Sequence, residues 1–421
     1  MKGLAQDVAQ WVPKLALEDK DADLLRELAD TLVAHNIESY NTLLVSPDGH
    51  ADARRWKELR RKDGIRVYKE RSSAIASTTS GQVTLPCIPS LLLLGTIVGK
   101  LDDLMFAVAA STDEAMKITS KCVQDGLLDC KVVQQLVQPT EQEPFRHASV
   151  KWRLNSARDY VCVDTTGIAE SSQGERVGYS ISHSVAFSQI PSFAKFGVER
   201  SNMSVCSLYR QKTPETIECY TRGFFDFRSD SNELLNSLSM NSMATQWLSL
   251  SKYVECAEMK KLVWRLRKNS GLPTTGPMDV QPIEEDEARE SQDTDVEKSR
   301  QSALSNGKCA VCTRSFGFSH RKTCKICLRS VCSSCTVKKL VCVMAPDRRT
   351  VLDKKRTFCT MCMCEVTQSD ALAIARDEIR SATTLPNSLR PPMQQTEIER
   401  QPQDDELEPT KEGGVVEPCV L

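Results

Sequence analysis

CAVCTRSFGFSHRKTCKICLRSVCSSC runs from Cys309 to Cys335, and CTMC follows from Cys359 to Cys362. Together they hold four CxxC pairs: Cys309/Cys312, Cys324/Cys327, Cys332/Cys335 and Cys359/Cys362. Two residues between thiolates let one tight turn offer both sulfurs to the same tetrahedral ion. The four pairs therefore predict two all-thiolate sites and two zinc ions as cofactors. Such closed sites keep no position for a substrate, so they hold structure and do not catalyse.

Working outward, the composition favours metal over disulfides. The chain has 421 residues and 18 cysteines, yet no apolar leader follows Met1 and no stretch is long enough to span a bilayer. The best apolar run, Val83 to Val98, is broken by Pro86, Pro89 and Gly95. The expectation is a cytoplasmic protein whose other cysteines, Cys87, Cys122, Cys130, Cys162, Cys206, Cys219 and Cys256 among them, are reduced core residues.

Net charge is −1, but its distribution is uneven. Residues 271–300 carry nine acidic and three basic side chains with Pro273, Pro277 and Pro282, a composition unable to bury a core, so residues 269–304 read as an acidic flexible linker. In residues 305–368 the balance reverses to thirteen Lys and Arg against Asp347, Asp353 and Glu365. That module stays positive after eight thiolates and two divalent ions are counted, and it seeks an anionic surface. Residues 369–421, after a short candidate helix from Ala371 to Arg380, read as a largely disordered Pro- and Gln-rich tail.

Upstream, residues 1–52 read as a helical lead-in, with Leu24, Leu25, Leu28, Leu32 and Val33 at helical spacing. From Trp56 onward come β-rich runs: Ile65 to Tyr68, Val161 to Thr166, Val177 to Val185 and Ile217 to Phe227. Helical stretches fall around Leu101 to Ala110 and Asp113 to Cys122. Asp230 and Glu233 form a capping box, after which Leu234, Leu235, Leu238, Met243, Trp247, Leu250, Val254 and Ala257 follow one face of a long amphipathic helix. The expected fold class is α+β: a curved antiparallel sheet gripped by that helix, able to enclose a cavity. Met243, Trp247 and Leu250 then line the cavity, the competing reading being that they fill a solid core.

Trp56 with Asp63-Gly64-Ile65-Arg66-Val67-Tyr68, then Gly95 and Leu101-Asp102-Asp103, then Trp152 followed by Arg158-Asp159-Tyr160-Val161, then the terminal helix, resemble the START lipid-transfer domain in order and spacing. The likeness covers residues 53–268. It implies a helix-grip fold around a tunnel for one lipid, of a class the sequence does not give, with a mobile gate. By position the gate is Gln189 to Phe196, and Ile190, Phe193 and Phe196 are expected to be exposed beside Lys195 and to suit a membrane interface. The resemblance gives Arg158 a salt bridge with a neighbouring carboxylate.

The four pairs are similar in spacing to a FYVE-type finger. That resemblance implies a cross-brace: Cys309, Cys312, Cys332 and Cys335 on the first zinc, and Cys324, Cys327, Cys359 and Cys362 on the second. It also implies Phe318 as the membrane-inserting tip, and His320, Arg321, Lys322, Lys325 and Arg356 as contacts for a headgroup such as phosphatidylinositol 3-phosphate. The basic motif departs from the family's, since both motif histidines are missing while positive charge is kept. Cys342 and Cys364 are supernumerary.

His35, His50, His147 and His183 are scattered and show no nucleophile-base signature, and no glycine-rich phosphate loop is present. The function expected is non-enzymatic: a lipid-binding, transfer or sensing protein, peripheral to an anionic membrane, with an endosomal one as the candidate address. The alternative is an adaptor whose finger binds a small GTPase or acts as a RING-like ubiquitin-ligase module. Nucleic acid is not an expected partner, because aromatics for base stacking do not interleave the basic residues.

Overall fold

The computed structural model describes residues 8–43, 49–71, 88–226, 233–270, 307–316, 321–383 and 417–418. The helical lead-in is α1 (Asp19–Asn41). Strands β1 (Trp56–Lys62), β2 (Ile65–Glu70) and β3 (Ser90–Val98) precede α2 (Leu101–Val108) and α3 (Asp113–Val123). Six more follow: β4 (Leu127–Val137), β5 (His147–Asn155), β6 (Arg158–Glu170), β7 (Arg176–Ala186), the short β8 (Glu199–Arg200) and β9 (Asn202–Thr213), before β10 (Thr216–Asp226) closes the set. The sheet order is β1-β2-β3-β10-β9-β7-β6-β5-β4, antiparallel along its length, with β8 parallel to β6 at its side. The fold is α+β, a large antiparallel sheet with helices on both faces.

Local chemistry accounts for the framework. Thr112 caps α3 by accepting from the Ala115 amide at 3.2 Å, and Asp113 and Glu114 sit favourably in its first turn. Asp63 and Gly64 form the two-residue turn joining β1 and β2, with Asp63 at φ 50°. Gly95 is needed where β3 crosses β2, because a Cβ there would stand 2.3 Å from the Gly64 carbonyl oxygen.

Period two then sorts the strands into faces. The convex face, with Trp152, Leu154, Val161 and Val163, packs on Leu25, Ala29 and the chain before α1. Farther along, Val33 packs with Tyr68, Leu92, Ile181 and Leu208 on the same side. The concave face receives α2, α3 and two C-terminal helices, α4 (Glu233–Trp247) and α5 (Lys252–Ser270).

The single long helix expected from the sequence is thus built in two pieces. Between them Leu250 bonds back to Trp247, Lys252 to Ser249 and Tyr253 to Leu250, each three residues apart, at 2.9 to 3.2 Å. Ser249 and Ser251 favour such a tight turn over regular helix. Leu238, expected inside, is 65% exposed, because it precedes the break and stands nine residues, half a turn out of phase, from Trp247 on the same helix. Asp230 of the capping box lies outside the described residues.

The cysteine-rich residues form two small antiparallel hairpins, β11 (Lys322–Thr323) with β12 (Ser330–Val331), and β13 (Thr336–Met344) with β14 (Val351–Cys359). Helices α6 (Thr360–Gln368) and α7 (Ala371–Thr383) follow. The second falls where a short helix from Ala371 to Arg380 was expected, runs three residues longer, and buries Ala371, Ile374 and Ala375. This module shares one continuous apolar core with α2 and α5. Among the described residues no helix is long and apolar enough to cross a membrane.

Candidate binding cavity and metal centre

Between the concave face and helices α3, α4 and α5 lies a cavity of about 460 Å³. Met243, Trp247, Leu250, Met116 and Val123 line its helical side with Ser239, Ser242 and Gln246 among them, while the strands contribute Ser180, Ser182, Ser207 and Thr221 beside Leu93, Met203 and Val205. Small hydroxyl side chains on the strands leave the space open. Trp247 lies close over the sheet because residue 223 is glycine; a Cβ there would stand 3.0 Å from the indole.

The cavity wall carries a cation. Arg153 lines it, donating to Ser182 Oγ at 3.2 Å and pairing with Asp164. Asp164 is 3% exposed and also pairs with Lys151 at 3.3 Å. Its Oδ1 has no hydrogen-bond partner among the described residues, although a buried acceptor usually has one. Lys151 donates to the Ala110 carbonyl at 2.8 Å and to His147 Nε2 at 3.1 Å. Thr166 Oγ1 donates to the Phe145 carbonyl, so His147 Nδ1–H donates to that hydroxyl, at 2.7 Å. The imidazole is therefore neutral. Burial, then the charges of Lys151 and Arg153, hold its pKa well below the ordinary value. Burial likewise pushes the Tyr160 phenol, another lining group, up to about 12, keeping it a hydrogen-bond donor. The cavity can thus present donors to an oxygen-bearing group while its helical side contacts an apolar body.

The metal centre is a separate constellation. Cys309, Cys312, Cys332 and Cys335 bring their sulfurs within 4.8 Å of one another, and so do Cys324, Cys327, Cys359 and Cys362. Tetrahedral thiolate sites with metal–sulfur bonds of about 2.3 Å require sulfurs roughly 3.8 Å apart. The Cys312–Cys332 and Cys327–Cys359 separations, 3.7 and 4.0 Å, fit that geometry. Backbone amides of Val311 and Cys332 point at Cys309 Sγ, each at 3.4 Å. Burial alone raises that thiol, but these amides and that of Cys312 bring it down to about 6. Each group of four can hold a metal ion, in the interleaved pairing that the resemblance implies.

No protein-family model matches the chain, and no curated protein matches it. Part of the chain aligns with solved structures at low identity. Human StAR-related lipid transfer protein 5 aligns over 55% of this chain and 97% of its own, at 16% identity and a TM-score of 0.37. Human STARD10 aligns over 61% of this chain and 86% of its own, at 10% identity and 0.38. The lipid transfer and protein localization domain of human StarD13 aligns over 56% of this chain and 98% of its own, at 11% and 0.31.

The sites expected from sequence fare differently. Met243, Trp247 and Leu250 do line the cavity. Ile190 and Phe193 do not, and neither is exposed: they are 5% and 1% accessible on the convex face, with Phe196 half-buried beside them. Phe193 meets Trp152 edge-on at 6.0 Å, and Val8, Val12 and Leu15 complete the cluster, so the N-terminal residues supply the apolar partners that a membrane was expected to supply. Arg158 lies 3.6 Å from Glu199, as expected, but also lines the cavity. Its neighbour Asp159 is fully buried, pairing with Arg200 at 2.8 Å and accepting from the Trp152 indole at 2.8 Å. Lys322 lies in β11 and Arg356 in β14, the Lys325 amide donates to the Thr357 carbonyl at 3.0 Å, and the Arg321 guanidinium stands 5.3 Å over the Phe316 ring. Phe318 and His320 lie outside the described residues. Arg153 and Asp164 are absent from the sequence-based site.

Proposed function

We propose that the chain is a non-enzymatic binder of one amphipathic lipid, held in the concave cavity with its polar end toward Arg153 and its apolar body against Met243, Trp247 and Leu250. The observation that carries this is the half-open cavity itself. Its volume lies within the roughly 300–1,000 Å³ of small-molecule sites, and it pairs apolar side chains with Arg153, a half-buried cation that shares its partner Asp164 with Lys151. That volume suits a compact lipid; a two-chain phospholipid requires α4 and α5 to move outward. Native mass spectrometry of the full chain, recovered from vesicles containing sterol, ceramide and phospholipid, tests it. The expected spectrum shows one lipid per chain and two zinc ions; a chain without lipid after every loading overturns the reading.

The cysteine-rich module, with zinc on its eight ligands, docks this carrier on an anionic membrane at the cytoplasmic, candidate endosomal, side. Leu328 and Met361 support this. They are 71% and 58% exposed, each adjacent to ligand cysteines of one metal group, and Leu328 is flanked in sequence by Lys325 and Arg329. Exposed apolar side chains flanked by cations suit the interface of an acidic bilayer. Sedimentation with neutral vesicles, acidic vesicles and vesicles containing phosphatidylinositol 3-phosphate distinguishes charge from headgroup recognition. Leu328→Asp with Met361→Asp is expected to abolish sedimentation with both charged sets, and equal binding to neutral vesicles contradicts docking by charge.

A further inference from the structure

Helix α5 belongs to two regions at once. Its first turn is cavity wall, because Tyr253 lines the space and Leu250 precedes it. Its remaining length packs on α2, where Lys260 donates to the Phe106 carbonyl, and on the cysteine-rich module. Lys261, 2% exposed, pairs with Asp103 of α2 at 2.6 Å and donates to the Ser369 carbonyl at 2.7 Å, linking both sides through one ammonium. The Trp264 indole donates to Asp377 at 2.8 Å, Lys268 pairs with the same carboxylate at 2.8 Å, and Asn269 donates to the Ile326 carbonyl, inside a CxxC turn, at 2.9 Å. From Tyr253 to Asn269 the helix runs about 24 Å, so one rigid rod joins the cavity to the second metal group.

The other helical wall is held similarly. Met116, Thr119, Ser120 and Val123 of α3 line the cavity, while Glu114 at the helix start accepts from Arg348 at 2.7 Å. Near its end, Lys121 pairs with Asp353 at 3.3 Å. Arg348 and Asp353 belong to the β13–β14 hairpin, whose far end delivers Cys335 and Cys359 to the two metal groups.

We infer that the metal-bearing module positions α3 and α5 and is thereby part of the frame of the binding cavity: two cavity walls are fixed from outside by residues ordered through the eight cysteines. Residues 307–383 lack a large core of their own, and metal binding in such units is coupled to folding. Removing metal therefore slackens Arg348, Asp353, Ser369, Asp377 and Ile326 together. The cavity walls lose their external support while the sheet beneath keeps its own hydrogen bonds. This inference rests on the metal reading above, and the experiment separates the two.

Hydrogen exchange of the full chain, with and without a chelator, follows peptides from 116–123 and 252–257, with 160–166 of β6 as an internal reference; a colorimetric indicator counts released metal. The expected result is two metal ions released, exchange in both wall segments at least tenfold faster, and the β6 reference unchanged. Metal release without a change in the wall segments overturns the inference and leaves the metal reading standing. No release on complete chelation overturns the metal reading and the inference with it. Lys261→Gln keeps all eight cysteines and gives a second test without chelation: metal content stays at two and exchange at 252–257 rises severalfold. Unchanged exchange there contradicts the positioning role of Lys261.

Discussion

On the convex face of the sheet Trp152, Leu154, Val161 and Val163 pack against α1 and the chain before it, whereas Arg153 and Tyr160, one step along the same two strands, border about 460 Å³ together with Ser180 and Ser182 of β7. The strands are shared and the neighbours alternate, so backbone geometry does not explain the contrast. Side-chain size and polarity do. Large apolar groups that are almost wholly buried cover one side. On the other side Ser180, Ser182 and the half-buried Arg153 line the cavity beside Leu93, Met203 and Val205. A solid face and a hollow face can therefore be specified by the same period-two pattern, read on alternate residues.

Four substitutions break or sharpen that contrast. Trp152→Ala removes a wholly buried ring on the solid face and leaves Asp159 without one of its donors. A loss of about 3–5 kcal/mol is expected in urea unfolding. Ala148→Leu adds volume on that same face, where Ala148 is 4% exposed, and is expected to cost about 1–3 kcal/mol by overpacking.

His147 probes the buried network behind the cavity wall. Its folded pKa is depressed, so its contribution to stability is complete above the ordinary value of 6.5 and is lost as pH falls toward the folded value. Unfolding free energy measured from pH 7 to 5 should fall by up to about 1.4 kcal/mol per pH unit below that point, and His147→Gln should remove this part of the slope. The smallest effect on stability belongs to the hollow face. Ser180→Leu places its extra carbons in open space and should shift the urea midpoint by no more than about 0.5 kcal/mol in free energy. Lipid recovered with the protein should nevertheless fall severalfold. A large stability loss there would mean that the face is already full.

How much of this the sequence disclosed follows from the same alternation. CxxC spacing is local, so both metal groups were legible without a fold. Met243 and Trp247 were legible because helical periodicity marks a buried face. In β5, His147, Ser149, Lys151 and Arg153 alternate with Ala148, Val150, Trp152 and Leu154. Period two shows that each set shares a face, but it does not tell a solvated face from one that borders a cavity. Arg153 and Asp164 escaped for that reason. Ile190, Phe193 and Phe196 looked membrane-facing because their covering residues, Val8, Val12 and Leu15, are far away in sequence. The seam was hidden for a related reason: Trp264 and Lys261 find Asp377 and Ser369 more than a hundred residues away.

The most direct measurement is photo-crosslinking of the intact chain loaded from vesicles with a diazirine-bearing lipid, followed by peptide mapping. Adducts are predicted on the hollow side, at Met116, Met243 and Trp247. Adducts concentrated at Ile190, Phe193 or Phe196, or a loaded chain carrying none in its cavity residues, would contradict the account.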